Sequence, residues 1–140
     1  MSWQACLDEG RVRKILPDIE RARSLAAMCE RKLNWLAGQR IADVTASPIL
    51  ANYFDVLGEL CDTIVVSRGF KVSAASRDCV VCFIADVLRE KEISEIYDHY
   101  RKIRNRINYY GKGVSQDAAS KGAEEIRGAF TKLKSKYAKF

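Results

Sequence analysis

The chain contains two prolines, and each stands at the head of a stretch that ends in glycine about one long helix later. The first stretch is "PDIERARSLAAMCERKLNWLAG", Pro17 to Gly38; the second is "SPILANYFDVLGELCDTIVVSRG", Ser47 to Gly69. Proline lacks the backbone N–H that a helix interior needs, but it fits the first turn, while glycine readily takes the conformation that follows a last turn. Between these marks the apolar residues step by three and four. Ile19, Ala22, Ala26, Cys29, Leu33 and Leu36 form one stripe; Leu50, Tyr53, Leu57, Leu60 and Ile64 form another. That period belongs to a helix with one buried face. Phe54, Val56, Cys61 and Val65 widen the second stripe, which predicts a central helix. Ser47 is the expected N-cap, with Pro48 the first helical residue.

Three further pieces have the same period. "SRDCVVCFIADVLREKE" from Ser76 places Val80, Phe83, Val87 and Leu88 on a core face. Its β-branched run would suit a strand, but the charged residues that follow at helical spacing favour a helix. The piece ending "SEIYDHYRKIRNRINYYG" carries Ile93, Ile96, Tyr100, Ile103, Ile107 and Tyr110, and Gly111 closes it. From Ser115 onward, Ala119, Ala123, Ile126, Phe130, Leu133 and Tyr137 line one side. No piece alternates with period two, and no hairpin signal occurs. The expected fold is all-α: an antiparallel four- to five-helix bundle, in one domain over residues 1–140. A chain of 140 residues with 48% hydrophobic residues can build such a core.

The sequence discourages several functions. No apolar run approaches the roughly 20 residues that cross a bilayer. The opening "MSWQACLDEGRVRK" lacks the apolar block of a secretory signal, so a cytoplasmic protein with no membrane partner is expected. The five cysteines, Cys6, Cys29, Cys61, Cys79 and Cys82, form an odd, scattered set, which argues against a disulfide framework. Cys79 and Cys82 make a lone CxxC. A zinc site would need two further ligands, and His99 is the only histidine, so buried packing is expected for the pair. "GKG" at 111–113 lacks the spacing of a phosphate loop, and the carboxylates show no HExxH or EF-hand pattern. No metal and no cofactor are expected. His99 reads as an ordinary surface or interface residue.

The stretch "YRKIRNRINYYGKG", residues 100–113, passes this screen. It holds Arg101, Lys102, Arg104, Arg106 and Lys112 and no acid, in a chain of net charge +6. On a helix, Ile103, Ile107 and Tyr110 would face the core. Arg104 and Asn108 would share one flank, and Asn105 and Tyr109 another. Guanidinium and amide groups beside an apolar seam can hold a phosphate in bidentate fashion. A solvated basic face near a helix C-terminus, where cations suit the dipole, is the alternative.

"RNRINYYG" in a small helical chain resembles the signature region of HEPN domains, the higher-eukaryote and prokaryote nucleotide-binding family. "SRGFKVSAASRD", after the Tyr53 helix, resembles a connection common in that family. "IYDHYRKIRNRINYYG" resembles its signature helix, and "VSQDAASKGAEEIRGAFTKLKSKY" its closing helix. The resemblance spans about residues 17–138. It implies a bundle that dimerises through the signature helices. Many members are metal-independent ribonucleases, often toxins paired with a minimal nucleotidyltransferase. Their site is an Arg followed by a polar residue, with His four to six residues after the Arg.

Arg104 and Asn105 match the first half of that pattern, but no histidine follows, and Tyr109 stands where it would be. Tyrosine, with an ordinary pKa of about 10, is a poor base near neutral pH, though it can donate a hydrogen bond or stack on a base. Some partnered members are adenylylated on a tyrosine two residues past the histidine; that position is Gly111 here, and Tyr110 is a displaced candidate. The resemblance therefore implies a module that binds RNA or nucleotide through Arg101, Lys102, Arg104, Arg106, Asn108 and Lys112. It would carry a degenerate ribonuclease site at Arg104, Asn105 and Tyr109, and serve a nucleotidyltransferase partner. An active ribonuclease toxin and a purely structural dimerising bundle are the alternatives.

Overall fold

The computed structural model describes residues 1–140. It contains six α-helices and a two-stranded sheet. In chain order these are α1 (Trp3–Asp8), β1 (Val12–Lys14), α2 (Ile19–Ala37), α3 (Ala46–Ser67), β2 (Phe70–Val72), α4 (Arg77–Cys82), α5 (Lys91–Tyr110) and α6 (Gln116–Tyr137). One π-helical turn, Phe83–Val87, continues α4. No helix is long and apolar enough to cross a membrane.

As its wide stripe predicts, α3 is the central element and packs against α2, α5 and α6. Tyr53, Leu57, Leu60, Ile64 and Val65 are almost wholly buried on it. From α2 come Ala22, Ala26, Cys29, Leu33 and Leu36; from α6, Ala119, Ala123, Ile126, Phe130 and Leu133. Gly122 lets three helices meet closely: a Cβ there would stand 2.6 Å from Leu50 Cδ1 and 2.8 Å from the Tyr100 ring. Asp18 and Ser115 cap α2 and α6 by accepting the N–H of Arg21 (3.0 Å) and Ala118 (3.1 Å). Gly111, at φ 63°, ends α5 in the left-handed region.

The structure departs from the sequence reading in several places. The bundle carries an unexpected N-terminal layer. In it, α1 precedes β1, which pairs antiparallel with β2 in the register Val12↔Val72, Arg13↔Lys71, Lys14↔Phe70. Each strand is three residues long, too short for alternation to show in the sequence. Trp3 anchors the layer, with its ring edge-on to Phe70 (5.4 Å) and Phe83 (5.2 Å).

Cys6 and Cys79 form a disulfide, contrary to the expectation of no cross-link, and Cys82 is a buried free thiol. The two bonded cysteines lie 73 residues apart, so only the packing of α1 on α4 brings them together. The single helix expected over Ser76–Glu92 breaks after the π turn, where Arg89 takes φ 61°, and Lys91 and Glu92 belong to α5 instead. Ser47 is not the cap of α3. The N-cap position is Thr45, and Ser47 Oγ instead accepts the N–H of Val114, tying the α5–α6 connection to α3.

Tyr110 and Ile19 were expected in the core but are 74% and 42% exposed. Ile96, Ile103 and Ile107 are half-buried, so the stripe of α5 fades along its length.

Candidate functional site

A cleft of about 390 Å³ opens between α3 and α5, with Ala74 and Arg77 closing one end. The period of α5 turns Tyr97, Arg101, Arg104, Asn105 and Tyr109 toward it; from α3 it receives Phe54, Asp55, Gly58, Glu59 and Asp62. Gly58 leaves room in the wall where a side chain would stand.

Arg104 lies at the centre. Its Nε donates to Asp55 Oδ1 at 3.0 Å and its Nη1 to the Tyr109 hydroxyl at 3.4 Å. Its Cζ stands 5.9 Å from the centre of the Tyr109 ring. A guanidinium has five N–H groups, so these two contacts leave donors for a ligand. The Tyr109 oxygen accepts from Arg104, which leaves its own O–H free to donate. Tyr109 is 70% exposed, with its ring available for stacking.

The cleft is electrically balanced rather than basic. Arg104 pairs with Asp55, Arg77 with Asp62, and Arg101 with Asp98 through a 2.6 Å contact. Glu59 is held from the α2 side by Lys32 at 2.9 Å. Burial pushes the Asp55 and Asp62 carboxyls above the ordinary carboxylate range, against the pull of Arg104 and Arg77. Burial works against the charge of Arg104, but Asp55 and Tyr109 more than offset it, so its guanidinium is held more firmly protonated than usual. Tyr97, almost wholly buried, lies edge-on to Phe54 at 5.1 Å, and burial raises its phenol pKa.

The residues expected to act together divide into two groups. Arg101, Arg104, Asn105 and Tyr109 meet in the cleft. Lys102, Arg106, Asn108 and Lys112 are exposed and do not line it; Lys102 pairs instead with Asp98 at 3.0 Å. Lys102 and Arg106 lie on other faces of the helix and Lys112 lies beyond its end. Asn108, one turn after Arg104, shares its flank but does not line the cleft. His99 does not line the cleft; it is exposed and packs against Tyr100 at 4.8 Å.

Sequence reading missed Asp55, Asp62, Arg77 and Tyr97. A signal for part of this was present: Asp55, Glu59 and Asp62 step by four and three along an otherwise apolar helix, which marks one polar face. Arg77 carried no signal, because it reaches the cleft only through the fold.

No family model, curated protein or solved structure matches this chain. The class that the fold and cleft define is a helical bundle with an arginine–tyrosine cleft beside its central helix.

Proposed function

We propose that this chain is a HEPN-like module that binds an RNA or nucleotide phosphate in the α3–α5 cleft and serves a minimal nucleotidyltransferase partner. The observation that carries the reading is the convergence of Arg104, Asn105 and Tyr109 with Arg101 in one hollow, with N–H groups of Arg104 still unused. A phosphate would take those donors and the Tyr109 O–H, and a base would stack on the exposed ring. Asp55 sets a cost on entry, since the ligand must share Arg104 with a carboxylate already in place. The exposed tyrosines at the C-terminal end of α5, Tyr109 and Tyr110, with half-buried Ile107, support a homodimer formed through that end.

No histidine stands in the cleft to move protons near neutral pH, so cleavage is expected to be slow or absent. The second reading, a metal-independent ribonuclease, draws on Asp55. Burial raises the pKa of this carboxyl, which sits beside Arg104, and such a group can act as an acid or base.

Wild type, Arg104→Ala and Tyr109→His are to be compared on mixed RNA without added metal. The module reading expects Arg104→Ala to weaken binding by about 1–3 kcal/mol with the fold intact. It also expects Tyr109→His to raise a low cleavage rate. Rapid cleavage by wild type, lost in Arg104→Ala, would establish the ribonuclease instead. Absence of RNA binding by all three at low salt would leave a purely structural bundle.

A further inference from the structure

The two-stranded sheet has one face turned inward, with Val12 and Val72 buried and Phe70 against Trp3. Its outer face presents Arg13 and Lys71, which are exposed and sit directly opposite each other in the ladder. Like charges directly opposed across an antiparallel pair repel and destabilise the sheet. Neither side chain has an ion-pair partner in the chain. Beside them lies a shallow hollow of about 230 Å³, lined by Gly10, Arg11, Arg13, Lys71, Ser73 and Ala74 among others, with no carboxylate in its wall. The hollows of about 540, 390, 340 and 270 Å³ each include at least one acid.

This hollow adjoins the cleft, since Ala74 lines both. The segment between them is pinned in place. Ser73 N–H donates to the Arg11 carbonyl at 3.2 Å, Ser73 Oγ bonds Ser76 Oγ at 2.7 Å, and Arg11 Nε donates to Ser76 Oγ at 3.1 Å. Arg11 also pairs with Asp78, next to the cleft residue Arg77. A fixed bridge of small residues therefore joins a balanced cleft to an unbalanced basic face.

We propose that the outer face of the sheet, centred on Arg13 and Lys71, is a second phosphate-binding surface that carries the backbone of a single-stranded nucleic acid away from the α3–α5 cleft over Ala74. The proposal rests on the reading of the cleft as the point where the strand is anchored. A phosphate between Arg13 and Lys71 relieves their repulsion, an energy gain not available at cations already paired. Each contacted phosphate also releases condensed counterions. The cleft then provides position and the sheet provides electrostatic affinity.

The test uses fluorescence anisotropy with labelled single strands of one sequence, as RNA and as DNA. One set has about 12 nucleotides, a length within the usual range of single-strand sites; the other is a trinucleotide. Arg13→Ala/Lys71→Ala should weaken binding of the long strand by about tenfold and lower its salt slope by about 1.4, the share of two phosphates on a single strand. Trinucleotide binding should be unchanged, and Arg13→Lys/Lys71→Arg should bind the long strand as wild type does. Because the double alanine variant removes a repulsion, its thermal midpoint should equal or exceed that of wild type. An RNA preference would locate recognition at the 2′-hydroxyl; equal binding of RNA and DNA would locate it at the phosphodiester, and either supports the track.

An unchanged long-strand affinity in the double alanine variant, with Arg104→Ala still weakening both lengths, would overturn the track and leave the cleft reading intact. The converse pattern would keep the sheet surface and overturn the cleft. Binding of phosphatidylserine vesicles, lost in the same variant while strands bind unchanged, would assign the face to a membrane and overturn the proposal.

Discussion

The two halves of α5 differ although their amino-acid types are similar. In the first half Ile93, Ser94, Tyr97 and Tyr100 are buried, and Tyr100 donates to Glu125 at 3.0 Å. In the second half no residue is buried, and Tyr109 and Tyr110 are more than two-thirds exposed. Tyrosine thus serves the core at one end and the surface at the other. The first half sends Ile93, Tyr97 and Tyr100 into the core, whereas the second lies beside α3 through the Arg104–Asp55 pair, lines the cleft, and turns Tyr109 and Tyr110 largely outward. A helix that is anchored over its first turns can present its last turns as a rigid functional surface.

The largest effect that tests this division is expected at Tyr97. Tyr97→Ala should cost about 3–5 kcal/mol, as loss of a buried aromatic does, and urea unfolding would measure it. A cost below about 1 kcal/mol would mean that the first half of α5 is not anchored as described.

Next comes the layer that positions α4 beside α5. Removing the Cys6–Cys79 bond by Cys6→Ala should cost about 2–4 kcal/mol under oxidising conditions. Under strong reductant wild type should lose a similar amount. Peptide mapping without reductant checks the pairing itself, and a free Cys6 thiol would contradict it.

A pH effect is expected at the start of α5. There the Glu90 carboxylate accepts from Lys136 at 2.6 Å and from the Tyr137 hydroxyl at 2.8 Å, and Lys132 lies 3.2 Å away. These contacts, that of Lys136 foremost, hold its pKa down to about 2. The unfolded chain binds this proton near pH 4.3, so the stabilisation is complete above about that pH and is lost as pH falls from there toward about 2. Glu90→Gln should flatten that part of the acid limb in urea midpoints measured against pH.

The smallest effect on stability is expected at the C-terminal end of α5. Tyr110→Ala should change unfolding free energy by no more than about 0.5 kcal/mol. If the proposed dimer forms through this end, the same variant should shift light scattering toward the monomer while its thermal midpoint, measured dilute, stays unchanged. A large loss of stability in dilute protein would place Tyr110 in the core, where the sequence stripe put it.

That stripe shows the limits of the sequence alone. Period and punctuation are local properties, so they revealed α2, α3, α5 and α6 and the central position of α3. Spacing also paired Arg104 with Asn108 on one flank and Asn105 with Tyr109 on another, while the set Arg104, Asn105 and Tyr109 came from the family resemblance. Only the structure added Arg101 to that set and left Asn108 outside the cleft. The same period gave no sign of where the core face of α5 ends, and so it wrongly buried Tyr110. Asp55 could be read as one step of a polar face, but not as the partner of Arg104 from 49 residues away. Only the tertiary structure paired β1 with β2, bonded Cys6 to Cys79, brought Arg77 to the cleft and set Arg13 opposite Lys71. Each of these depends on segments far apart in sequence. Such contacts form once the core has fixed the chain's path, and no local pattern of three or six residues carries enough energy to announce them.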